Sequence, residues 1–450
     1  IMTVSKKVIP LEPFQQQFFF REFYNVTGKI YISIQLDKKL DLSLDDIKKN
    51  VILRLLEKEP LLRSRIYYSE EIQPCYVIHD ISEFNGRILD ELVETTDLEI
   101  DSKELFQKYT SDSFKANKNF ATMANPHWKL VVNYKENYIT FLYSHALFDG
   151  ITGVNVLNLV LDFINDEKAK SSKSCTSDNK KGEILQVYPK NEKMFPLPPV
   201  YEIPDEQTPL FKIPNYKTDP WSPSTELNLI TIHGQEKINK IINNCKQHDV
   251  SLNSYILSML CIAFYEDKDI KCKFNAAISL RDRVYVNEAL IPKNALGLMI
   301  TFILVTTPKI TAEVAEYNST SQWEFIQTMH ELITKNIALS LSDLKSFGNF
   351  AFTDQKQAWE DQVKAMKSVD GICPTHSFSF SNLSLNFKVN KKNHYNVVRT
   401  MFSQSKRAQD YFSGSMISNS GWLNLSYVYL DHNKIMENCY KRLKDYLERD

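Results

Sequence analysis

No apolar run in the chain approaches the ~18–20 residues that a bilayer-crossing helix needs, so no transmembrane segment is expected. The first ten residues are interrupted by Lys6 and Lys7 and do not read as a signal peptide. An excess of either charge is also missing. Lys and Arg total 54 against 55 for Asp and Glu, a formal net charge of −1, which leaves no electrostatic case for nucleic acid as a partner. The seven cysteines are scattered with no CxxC pair. That excludes a disulfide framework and a zinc ribbon, and fits reduced thiols in a cytoplasmic compartment.

What the chain does have is length and one concentrated stretch. Its 450 residues exceed what a single hydrophobic core usually serves, so two domains are expected. Residues 138–164 join three kinds of sequence. Tyr138–Tyr143 is a short apolar run with β-branched and aromatic residues, which predicts a buried strand. Ile151, Val154, Leu157, Val160, Leu161 and Ile164 recur at helical spacing, which predicts a helix with one apolar face. Between them lies SHALFDG, polar groups at a strand-to-helix junction.

Such a junction presents side chains from a rigid support. His145 titrates near neutrality and can take up and return a proton. Asp149 is a natural N-cap for the helix that follows, and Gly150 tolerates unusual backbone angles. A metal site is a weak alternative, because no third ligand cluster stands nearby. By residue type alone, a structural histidine and a simple helix cap remain open.

SHALFDG resembles the HxxxDG motif of the coenzyme A-dependent acyltransferase superfamily, which includes chloramphenicol acetyltransferase, the plant BAHD enzymes and peptide-synthetase condensation domains. Other segments resemble it in the same order. Glu59–Tyr68 (EPLLRSRIYY) is similar to the family's P-x-L-R-x-R segment. Pro126–Tyr134 (PHWKLVVNY) predicts a strand hairpinned to Tyr138–Tyr143. Nine of the seventeen prolines fall between Pro189 and Pro223, where no continuous helix or central strand can run. With the polar, low-complexity stretch before them, residues 166–223 read as a crossover linker between domains 1–165 and 224–450.

In the second half, Ser251 is a cap for a long apolar helix through Tyr265. FNAAISLRDR (274–283) resembles the strand ending in R-x-R of BAHD relatives, followed by Pro292 and Gly297. By that resemblance Arg281 pairs with Asp149 across the two halves. Leu298 stands where the relatives commonly have Asn, and the plant DFGWG motif is absent. Ser377–Phe387 alternates like a half-buried strand, and its Ser381 and Asn382 are candidates for positioning a carbonyl. Tyr411–Ser418 and Trp422–Tyr429 predict a closing hairpin. The opening stretch LEPFQQQFFFREFY (11–24) predicts a core-packing helix, and a surface helix touching the endoplasmic reticulum or lipid droplets is its alternative.

The pattern is most similar to the fungal alcohol O-acetyltransferases and the related N-acetyltransferases. That implies an α/β (α+β) fold of two chloramphenicol acetyltransferase-like domains, each a mixed sheet flanked by helices, with a tunnel at their interface. It implies acetyl-CoA as co-substrate, no metal, a monomer, and a hydrophobic alcohol or amine acceptor. The expected activity is acetyl transfer to a small or medium-chain alcohol. N-acetylation of a long-chain amino alcohol and a non-catalytic small-molecule binder are the alternatives. His145, near pKa 7, is the expected base. Asp149 aims its loop, and transfer is direct, because no serine or cysteine sits in a nucleophile elbow.

Overall fold

The computed structural model describes residues 7–24, 29–69, 71–112, 126–169, 184–185, 207–214, 216, 225–286, 288–342, 355–368, 374–383, 387, 389–407, 409–419, 421–430 and 433–449. It has the chloramphenicol acetyltransferase-like α/β architecture, with two large mixed sheets and helices packed against them. The first sheet runs Val397–Gln404, Lys29–Leu36, Tyr138–Ser144, Trp128–Asn133, Val93–Thr95. The second runs Ile300–Thr306, Lys273–Ser279, His376–Leu383, Asp410–Asn419, Trp422–Leu430, Thr225–His233.

Most elements follow the sequence pattern. Tyr138–Ser144 is buried along its whole length, as a central strand with apolar side chains on both faces should be. It pairs antiparallel with Lys29–Leu36 on one side and Trp128–Asn133 on the other. The helix Gly150–Ala169 then folds back on the same sheet. Gly153 makes that approach feasible, since a Cβ there would meet the Tyr143 hydroxyl at 2.5 Å and Ile32 Cδ1 at 2.7 Å. The strand and the helix are thereby held at a fixed separation, and the five-residue junction between them has little freedom.

The opening helix Pro13–Phe23 begins with a reciprocal capping box between Glu12 and Gln15. Phe14, Phe18, Phe19 and Phe20 are buried in the first core. Ser251 caps the helix Leu252–Ile262 by accepting from the Ser254 N–H, and that helix ends before the expected Tyr265. The closing hairpin forms in register, and Gly421 at its tip has φ +82°.

Two features were not legible. Val93–Thr95 is too short and too charged to declare itself, yet it adds a parallel edge to the first sheet. Val397–Gln404 comes from the last quarter of the chain and pairs with Lys29–Leu36 in that same sheet. It also touches the second sheet, where Ser426 Oγ donates to the Phe402 carbonyl at 3.0 Å and Asn424 Nδ2 donates to the Thr400 carbonyl. The sheet pairing thus crosses the division drawn at 165 and 224. Of the expected linker, residues 170–183, 186–206, 215 and 217–223 lie outside the described residues. Ile213 and Tyr216 within it are buried in the second core. No described helix is long and apolar enough to cross a membrane.

Replacing Gly153 by alanine should force the helix off the sheet. A loss of about 1–3 kcal/mol is expected, as for other overpacked cores. Urea denaturation measures it, and an unchanged midpoint would mean that the helix shifts freely.

Candidate active site

The strand Tyr138–Ser144 delivers His145 to the seam between the two sheets. Its loop is short and heavily bonded. Leu147 N and Phe148 N donate back to the Ser144 carbonyl at 3.2 and 3.3 Å. Ser144 Oγ is buried, donates to the Glu22 carboxylate and accepts from Ala146 N at 3.1 Å. A hydroxyl so engaged is not available as a nucleophile.

Asp149 closes the loop and starts the helix. One carboxylate oxygen, Oδ1, accepts from Thr152 N at 2.8 Å, which is the N-cap bond. The other, Oδ2, accepts from Arg281 Nη1 at 2.8 Å and from Met299 N at 2.7 Å. The structure therefore brings Asp149 and Arg281 together from the two halves, and both are almost wholly buried. Arg281 is itself fixed, donating from Nε to the Ala295 carbonyl at 2.9 Å and from Nη2 to Thr152 Oγ1 at 2.8 Å.

Thr152 completes the knot. Its hydroxyl donates to the Gly297 carbonyl at 2.7 Å and accepts from Gly297 N at 3.0 Å and from Arg281. Gly297 holds φ +139°, a conformation glycine adopts without strain. Gly150 sits under Leu383 of the second half, whose Cδ2 lies 2.7 Å from where a Cβ would stand. Sequence reasoning named Asp149, Gly150 and Arg281 but missed Thr152, whose only signal was its place three residues after a helix cap.

The imidazole of His145 packs against Phe18, ring centroids 4.2 Å apart. Nδ1 of the ring is buried, and the ring lines the pocket beside it. The ring is not bonded to Asp149, whose two oxygens are used elsewhere. Burial first, and then the Arg21 cation, push the His145 pKa down to about 4. This lies below the value near 7 expected from the sequence, and its causes are burial, with Phe18 against the ring, and the charge of Arg21.

Phe18, Arg21 and Glu22 share one face of the opening helix at i, i+3 and i+4. That helix is buried as expected, but it also furnishes the site. The Arg21 guanidinium carbon lies 5.2 Å from the Phe18 ring centre and 5.8 Å from that of Trp359. Burial raises the Glu22 pKa to about 7.

Beside His145 is a pocket that is partly open to solvent. The first half lines it with Phe18, Arg21, Lys29 and His145, and the second half supplies the remainder, including Phe302, Ser381, Gln404 and Arg407. Ser381 Oγ accepts from Gln404 Nε2 at 3.3 Å. Asn382 does not line the cavity, because alternate residues of a strand face opposite ways, and its Nδ2 donates to Asn253 Oδ1 at 2.9 Å. Among the described residues no group of three or more His, Cys, Asp or Glu side chains could hold a metal.

Residues 77–219 match the family model described as alcohol acetyltransferase. No curated protein matches the chain in sequence. Solved structures share its fold over almost its whole length. A trichothecene 15-O-acetyltransferase from Fusarium sporotrichioides is 10% identical with a TM-score of 0.66, covering 97% of this chain and 94% of the other. The condensation domain of a monacolin K polyketide synthase is 9% identical with a TM-score of 0.60, covering 98% and 97%. A polyketide synthase associated protein from Mycobacterium tuberculosis is 14% identical with a TM-score of 0.57, covering 99% of both.

The buried ion pair can be tested apart from activity. Asp149→Asn and Arg281→Met should each cost about 3–5 kcal/mol in urea denaturation, because each leaves its partner buried and unpaired. The double variant should cost clearly less than the sum of the two. Strict additivity would mean that the groups do not interact.

The chain thus shares the chloramphenicol acetyltransferase-like fold, and its residues 77–219, which include the HxxxDG loop, are similar to the alcohol acetyltransferases.

Proposed function

We propose that the protein transfers an acetyl group from acetyl-CoA directly to the hydroxyl of a small or medium-chain acceptor, with His145 as the base. The observation that carries this is His145 on the wall of a pocket that both halves line. Acetyl-CoA supplies the activated acetyl thioester, and the protein's side chains do the rest.

The neutral imidazole takes the hydroxyl proton as oxygen attacks the thioester carbon, then hands it to the departing thiolate. A pKa near 4 means that the ring is neutral throughout the physiological range and ready to accept. It is a weak base at rest. Negative charge building on the reacting carbonyl oxygen stabilises the imidazolium, so the proton moves together with bond formation. Asp149 has a positioning role through the Arg281 and Thr152 bonds, and Gly150 lets the loop sit close under the second half. Ser381 is the candidate for holding the carbonyl oxygen. In this reading residues 1–165 and 224–450 are the two domains, with Val397–Gln404 lent by the second to the sheet of the first.

Two further observations support the choice. The engaged Ser144 hydroxyl favours direct transfer over an acyl-enzyme. Arg21, Lys29 and Arg407 around the cavity favour a hydroxyl acceptor over a protonated amine, which they would repel.

Thiol release from acetyl-CoA with a panel of alcohols and amino alcohols tests the reading. His145→Ala should lower kcat/KM by about 10²–10⁴-fold. Undiminished turnover would remove His145 from the chemistry, and no turnover with any acceptor would favour a non-catalytic binder. The pH profile gives a separate check. A base must be deprotonated to act, so kcat/KM should be level through neutrality and fall only as pH drops toward about 4. Arg21→Gln removes a charge that opposes protonation and should move the acid limb upward. A wild-type limb at the ordinary histidine value of about 6.5 would contradict the buried, cation-flanked ring.

A further inference from the structure

The pocket beside His145 has two chemically different sides. One is aromatic. Phe18 packs on the imidazole, and Phe302 of the second half stacks on Phe18 with ring centres 6.5 Å apart. The other side is neutral and polar, and it includes Asn275, Ser379, Ser381 and Gln404.

The two amides of that side stand on rigid supports. Asn275 belongs to the strand Lys273–Ser279 of the second sheet, and Gln404 ends the strand Val397–Gln404 of the first. The strand His376–Leu383 brings them together. Its Ser379 stands opposite Asn275 in register. Two residues on, and on the same face, Ser381 accepts from Gln404. The two serines are about 7 Å apart along the strand, so the amides lie within the span of a short carbon chain.

Each amide is engaged at one end only. Asn275 Oδ1 accepts from Arg407 Nη1 at 3.0 Å, and Gln404 Nε2 donates to Ser381 Oγ at 3.3 Å. Among the described residues, Asn275 Nδ2 and Gln404 Oε1 have no hydrogen-bond partner. Asn275 is less than one-tenth exposed, so what its amide can reach is limited to the pocket that it lines. Arg407 on the same side is already engaged. It faces Asn275, Gln409 Oε1 at 3.3 Å and the buried Asp410 carboxylate, 3.5 Å from its Nε.

The pocket is thus left with one unused donor and one unused acceptor, both uncharged. A hydroxyl both donates and accepts, and it matches such a pair. An alkyl chain would strip water from both amide ends and return no hydrogen bond.

We propose that the acceptor carries at least one further hydroxyl besides the one that is acetylated, and that Asn275 and Gln404 bind it. The inference rests on the acyltransferase reading above and narrows its acceptor from an aliphatic alcohol to a small polyol. Phe18 and Phe302 cover the carbon skeleton while the reacting hydroxyl meets His145.

Acetyl-CoA with 1-butanol, 1,2-butanediol and 1,3-butanediol measures this. The better diol should exceed 1-butanol about tenfold in kcat/KM, the scale of one or two hydrogen bonds. Gln404→Met keeps the side-chain length and removes the acceptor, and Asn275→Ala removes the donor. Each should lower the diol-to-butanol ratio by about five- to tenfold. A ratio unchanged in both variants would assign the amides to the thioester instead, and would overturn the inference. A wild-type ratio of one or below, with acetyl transfer intact, would overturn it too and leave the acyltransferase reading standing. If no acceptor is acetylated, ligand-observed NMR decides. Binding of a diol that exceeds binding of 1-butanol, and is lost in Gln404→Met, upholds the polyol site and sets the transfer reading aside. Equal binding, or none, overturns it.

Discussion

The site depends on one buried ion pair. Asp149 and Arg281 come from different halves of the chain and meet in a place that water does not reach. Neither charge would be stable there alone. Each therefore enforces the presence of the other, and with it the docking of the second half onto the histidine loop. The carboxylate also caps a twenty-residue helix and receives an amide from Met299. A single group thus fixes the start of a helix, the end of a loop and the contact between two sheets. Thr152 and the backbone of Gly297 distribute that constraint, so the arrangement is a closed network with no loose donor at its centre.

The histidine sits next to this network without belonging to it. Its loop is aimed by Asp149, while its basicity is set by the opposite wall. Phe18 takes away solvent and Arg21 brings positive charge. Orientation and proton affinity are consequently governed by separate elements, one from the helix after the loop and one from the helix that opens the chain.

That separation explains what could be read from the sequence. SHALFDG, its flanking strand and its flanking helix are local patterns, and local patterns announce themselves. Arg281 was reachable because it ends a strand in a recognisable R-x-R. Thr152, Arg21, Glu22 and Lys29 carried no such signal, since each matters only for what packs against it. Arg21 and Glu22 are two polar residues in a run of phenylalanines, and nothing short of the fold says that the first lines the pocket and the second receives the Ser144 hydroxyl. The strand Val397–Gln404 was invisible for a related reason. Its partners are Lys29–Leu36, more than 360 residues earlier, and strand pairing over that span is not encoded in either segment by itself. The depressed basicity of His145 is the same lesson in electrostatic form, because desolvation is a property of neighbours.

That borrowed strand has a consequence for how the molecule is made. Synthesis proceeds from the N-terminus, so the Lys29–Leu36 strand emerges long before residues 397–404 exist. For most of translation it is the outer edge of its sheet, with backbone donors and acceptors bare to any other extended chain. The histidine strand is already next to it, but the cavity wall that Gln404 and Arg407 provide is not. The first sheet cannot fold to completion as an autonomous unit, and the site is assembled only once residues 397–407 have left the ribosome. A protein built in this way is exposed to misassembly late in its synthesis and has reason to depend on chaperones during that interval.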